Sequence, residues 1–101
     1  MSITVERHIS NWLASLEGRI TLTSATELKT VLVDWLATGK DLELNLERVE
    51  ETDVAIMQLL CAAASQAAAT GVRISSHASG AVRAAVRDAG FAGNLGFLLE
   101  E

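Results

Sequence analysis

Near the N-terminus apolar and polar residues alternate: Ile3 and Val5 with Thr4 and Glu6, then Trp12, Ala14 and Leu16 with Leu13, Ser15 and Glu17. A period of two suits paired strands with one face buried, and Ser10-Asn11 falls where such a pair would turn. Glu17-Gly18 is expected to break the second strand, with Ile20 and Leu22 resuming the alternation for a short extension. The period then changes. Leu28, Val31, Leu32, Trp35 and Leu36 form one apolar face at helical spacing. Ser24 with Glu27 three residues on has the spacing of a capping box, and Gly39 is expected to close this helix in a left-handed conformation.

Leu42, Leu44 and Leu46 alternate with Glu43 and Asn45, which predicts a short strand, either half exposed or with Asn45 facing a polar pocket. An acidic turn containing Glu50 and Glu51 leads from it into an alanine-rich helix capped by Asp53 and running to about Ala69. Ile56 through Leu60, Ala63, Ala64 and Ala67 line one side, small enough toward the C-terminal end to let the helix approach a sheet closely. Val54, Gln58, Cys61, Ala62 and Ser65 take the other side. Gly71 stops this helix, and Val72-Arg73-Ile74-Ser75 reads as another strand. A third helix follows from a Ser79 cap through Val82, Ala85, Val86 and Ala89 to Gly90, with Arg83, Arg87 and Asp88 outward. The end of the chain, Phe97-Leu98-Leu99, reads equally as a last strand or an apolar plug. Strands alternating with helices imply an α/β fold whose crossovers build parallel pairs into a sheet.

The 101 residues suit one domain, residues 1–101, with a single core. No apolar run reaches the roughly 18 residues of a membrane span. The N-terminus lacks the basic start, apolar core and small-residue cleavage site of a secretory signal, so a cytoplasmic location without membrane insertion is expected. Cys61 is the only cysteine, which excludes an intrachain disulfide and a cysteine-based zinc site. The net charge of −5, with its eight Lys and Arg scattered, argues against a nucleic-acid partner. A basic protein surface is a better match.

Candidate chemistry is sparse. His8 and His77 stand at no ligand spacing from another donor, so no metal is expected. Cys61 has no neighbouring His or Lys to lower its pKa and reads as an inert thiol. Glu47, Glu50, Glu51 and Asp53 surround a helix cap without a partnering His, Lys or glycine-rich loop, and such carboxylates are more often solvated than catalytic. Gly93-Asn94-Leu95-Gly96 is too weak for a phosphate cradle and follows rather than precedes a helix start. No cofactor is expected, and the chain reads as a non-enzyme.

The run Leu16-Glu17-Gly18-Arg19-Ile20-Thr21-Leu22, the strand Leu42–Leu46 with Val49 and Asp53, a helix ending in Ala-x-x-x-Gly and a final helix opening at Ser79-Gly80-Ala81-Val82 together resemble the STAS domain. The likeness covers nearly the whole chain. It rests on the order and spacing of elements more than on any single motif. It implies a STAS-like (SpoIIAA-like) fold, a single-layer mixed β-sheet packed against α-helices. It also implies the role of an anti-sigma factor antagonist, or of the STAS subunit in a phospholipid-transport ABC complex. Phosphorylatable members carry a turn resembling Asp-Ser-Ser-Gly before the second helix, whose second serine takes phosphate from a kinase that is also the anti-sigma factor. The matching residues here are Asp53, Val54, Ala55 and Ile56: the aspartate is kept, while both hydroxyls and the glycine are lost. Ala55 is thus a degenerate phosphorylation position, and Asn45 replaces a strand residue that is commonly aspartate. Thr52 is an alternative hydroxyl, three residues out of register.

Loss of the phosphate removes roughly −1.5 to −2 charges that would repel or recruit a partner. Binding is then constitutive or controlled elsewhere. Glu50, Glu51, Asp53, Val54, Ala55 and Gln58 make an apolar spot rimmed with acid, the expected partner-binding surface. An anti-sigma factor or kinase-like ATPase, or the ATPase of an ABC transporter, is the protein partner implied. Exposed edge strands and the Leu98-Leu99 tail leave a homodimer open.

Overall fold

The computed structural model describes residues 2–91, 93, 95 and 96. Four strands form one sheet in the order β1-β2-β3-β4, from β1 (Ser2–Arg7), β2 (Asn11–Ile20), β3 (Asp41–Thr52) and β4 (Ile74–Ala78). The first pair is an antiparallel hairpin, whereas β3 runs parallel to both β2 and β4. The helices α1 (Ala25–Leu36) and α2 (Val54–Thr70) supply the two crossovers, and α3 (Gly80–Asp88) follows β4. This is the expected mixed α/β sheet.

The two-residue period reports the buried face. Trp12, Ala14 and Leu16 of β2, with Leu42, Leu44 and Leu46 of β3, join Leu28, Leu32 and Trp35 of α1, Ile56, Met57 and Leu60 of α2, and Val82 and Val86 of α3 in one core. Trp35 is fully buried, and its indole N–H donates to the Lys40 carbonyl at 2.7 Å, pinning the α1–β3 turn while satisfying the polar edge of the ring. Arg7 lies over the Trp12 ring, 4.7 Å from its centroid, beside the turn of the hairpin.

Caps behave as their local geometry predicts in two places. The Asp53 carboxylate accepts from the Ile56 N–H at 3.1 Å, and the Ser79 hydroxyl accepts from the Val82 N–H at 3.2 Å. Ser79 Oγ also donates to the Val49 carbonyl at 2.7 Å, which ties α3 to β3. Gly71, at φ +77°, ends α2 in the left-handed conformation.

Several expectations are corrected. Glu17-Gly18 does not break β2: Gly18 adopts φ +84° beside a register shift in which β3 carries the extra residue, and β2 continues to Ile20. Leu22 lies outside the strand, in a 3-10 turn (Leu22–Ser24), and is largely exposed. That turn brings Ser24 into helical geometry one residue early, with its N–H on the Thr21 carbonyl, and its hydroxyl makes no capping bond. The capping box therefore does not form. Gly39 has the expected positive φ, but α1 ends earlier, at an Ala37 cap.

The acidic turn is also replaced by strand, because β3 continues through a bulge at Glu50 to Glu51 and Thr52, which pair with Arg19 and Ile20 of β2. The next strand begins at Ile74 rather than Val72, although the Arg73 carbonyl already accepts from the Leu42 N–H. Ala89 lies just past α3 as its C-cap and is exposed rather than on the buried side. Phe97-Leu98-Leu99 lies outside the described residues.

Candidate functional site

The chemistry of this molecule concentrates where β2 and β3 end. Ile20 pairs with Thr52 there, and the chain turns into the 3-10 segment on one side and into α2 on the other. Asp53 joins them. While Oδ1 caps α2, Oδ2 accepts from the Leu22 N–H at 2.8 Å, so one carboxylate holds the turn after β2 against the start of α2.

Two exposed apolar residues are thereby brought to the same end of the sheet. Leu22 is 69% exposed and Val54 is 47% exposed, two of the few large apolar side chains left open among the described residues. Ala55 is half-buried and Gln58 is exposed one turn further along α2. Thr52, the alternative hydroxyl, is half-buried and lines the core rather than the surface.

The acid rim is less acidic than its composition suggests. Arg19 Nε donates to Glu51 Oε2 across the β2–β3 ladder, and this bond, reinforced by the charges of Glu51 and Glu50, raises the pKa of the arginine. Glu50 stays exposed without an ion-pair partner among the described residues. The rim is therefore a mixed-charge border around an apolar pair. Leu22 and Arg19 belong to this surface, and sequence reasoning missed both because it placed Leu22 in a strand and read Arg19 only as part of a resemblance.

Other candidates lie elsewhere. His77 Nε2 contacts Glu43 Oε1 at 3.3 Å and sits beside Asn45 on the open face of the sheet, while His8 lies at the hairpin. No group of three or more His, Cys, Asp or Glu side chains is placed to hold a metal among the described residues. Cys61 is half-buried on α2, and burial pushes its thiol pKa up. Between sheet and helices the core leaves a cavity of about 20 Å³, room for about a single water and too small for an organic ligand.

The family description "Mlab, STAS domain" matches residues 4–100. The chain belongs to the STAS domain family. Its fold superposes on the anti-sigma factor antagonist SpoIIAA in its unphosphorylated form with a TM-score of 0.77 at 14% identity, covering 91% of this chain and 84% of that one. An anti-sigma factor antagonist from Mycobacterium paratuberculosis gives 0.76 at 19% identity, over 91% and 80%. A third likeness, to Mglu, has a TM-score of 0.64 at 27% identity, and spans 72% of this chain but only 18% of the other. No curated protein sequence matches. The STAS assignment supports a regulatory protein-interaction module, and no helix among the described residues is long and apolar enough to cross a membrane.

Proposed function

We propose that this STAS domain is a non-catalytic regulatory module of the anti-sigma factor antagonist kind, docking a partner protein through the start of α2. The observation that carries the reading is the Asp53 brace, which ties the backbone of exposed Leu22 to the start of α2, where Val54 is exposed, at the end of the sheet. An apolar centre with a polar rim is the make-up of a protein interface. Glu50, Glu51, Asp53, Val54, Ala55 and Gln58 form the docking surface, extended by Leu22 and Arg19. Ala55 stands where phosphorylatable relatives carry serine, so docking here does not depend on phosphate at that position.

The partner is an anti-sigma factor or kinase-like ATPase. The second reading is a STAS subunit that binds the ATPase of a phospholipid-transport ABC complex. It is favoured by the same missing hydroxyl, since a constitutive clamp needs no phosphate switch. Purification from the native source with mass spectrometry of the bound protein distinguishes the two. Val54→Glu and Leu22→Glu should each abolish the complex while the far-UV circular dichroism stays unchanged. Normal binding by both folded variants would place the interface elsewhere and overturn the proposal.

A further inference from the structure

The free edge of β1 is built to accept a strand. The His8 N–H donates to the Asn11 carbonyl at 2.9 Å, which makes His8–Asn11 a hydrogen-bonded pair of the antiparallel ladder. Such pairs alternate with non-hydrogen-bonded ones, so Glu6, Thr4 and Ser2 direct their backbone groups at β2. Arg7, Val5 and Ile3 then direct theirs away from it, to the open edge. Among the described residues β1 pairs with β2 alone.

Three of the devices that blunt an edge are absent from β1. It contains no proline and no lysine, and its register with β2 is unbroken by a bulge. Ile3 and Val5 are half-buried and pack against the core from its margin, yet β1 has no substantial contact with any helix. An apolar ledge thus lies beside a row of unsatisfied backbone groups.

We propose that this edge is a homodimer interface, in which β1 of two copies pair antiparallel about a two-fold axis at Thr4. The sequence of β1 is self-complementary in that register. Ile3 of each copy faces Val5 of the other as a hydrogen-bonded pair on the core side, which gives four backbone hydrogen bonds and two apolar cross-strand pairs. Thr4 faces its own symmetry mate on the open side, and Glu6 faces Ser2, so no like charges meet. The two sheets join into one, and both helix layers lie on the same side of it. The interface uses none of the side chains assigned to partner docking, so it stands or falls independently of that reading.

Sedimentation velocity of the full chain across a concentration series should show a species of twice the 10.7 kDa chain mass. Val5→Pro removes an outward N–H without touching the β1–β2 ladder and should give a folded monomer. An independent test uses Thr4→Cys in a Cys61→Ala background. Residues at the two-fold axis of a non-hydrogen-bonded position sit about 4.5 Å apart at Cα, within disulfide reach, so mild oxidation should link the two chains, whereas Glu6→Cys should not link. A wild-type chain monomeric at every concentration overturns the proposal, as does a folded Val5→Pro variant that still dimerises, or failure of the Thr4→Cys variant to cross-link.

Discussion

Asp53 hydrogen-bonds Leu22 across 31 positions of sequence, accepting from its backbone N–H at 2.8 Å. The same carboxylate caps α2 through the Ile56 N–H. One side chain therefore stabilises a helix end and fixes an exposed apolar residue next to it.

Replacing Asp53 with alanine removes both bonds. The loss of a helix cap typically costs about 1–2 kcal/mol, and the freed Leu22 turn should weaken partner binding as well. Asp53→Asn keeps an acceptor for one of the two donors and should lose less. Urea unfolding of the two variants, compared with partner affinity, checks both effects.

Ser79 and Ser24 look alike as caps in sequence but differ in space. Ser79→Ala should destabilise by about 1–2 kcal/mol, because the hydroxyl both caps α3 and donates to the Val49 carbonyl. Ser24→Ala should cost clearly less, since that hydroxyl makes no capping bond. Equal losses in denaturant titrations would mean that the 3-10 turn does not replace the capping box.

At Gly71 a methyl group would meet no atom within 4 Å, so backbone strain alone decides the outcome. With φ at +77°, Gly71→Ala should lower stability by about 1–2 kcal/mol. The change in thermal midpoint reads this directly. Little or no change would show that α2 can end in another conformation.

Burial raises the Cys61 pKa, so at neutral pH its thiolate fraction lies below that of a free thiol. Alkylation by iodoacetamide should be slow near pH 7, and its rate should rise with pH later than for a small-molecule thiol. Urea should bring the profile back to the ordinary one. A native protein that reacts faster than free cysteine at pH 7 would contradict the inert assignment.

How much was legible in the sequence depended on the range of the interaction. The Asp53 and Ser79 caps, the Gly71 stop and the apolar faces of Trp12-Ala14-Leu16 and Leu42-Leu44-Leu46 are decided by neighbours within a few residues, and each was readable from spacing. The order of elements followed from them, and with it the family likeness. Glu50 and Glu51 read as a turn because charged residues are poor strand formers by themselves. They lie in β3 because the end of β2 pairs Gly18 with Val49 and Arg19 with Glu51, which carries Glu50 along as a bulge. Gly18 carries the signal of a break, but a paired strand can absorb one positive φ opposite a bulge in its neighbour. The chain by itself thus determined which segments are helix or strand and which faces are apolar, since these rest on local periodicity and capping. Only the tertiary structure decided that β3 extends to Thr52 and that Leu22 and Val54 lie at the same end of the sheet, because strand pairing and the Asp53 bond to Leu22 join residues some thirty positions apart, a separation no local pattern encodes.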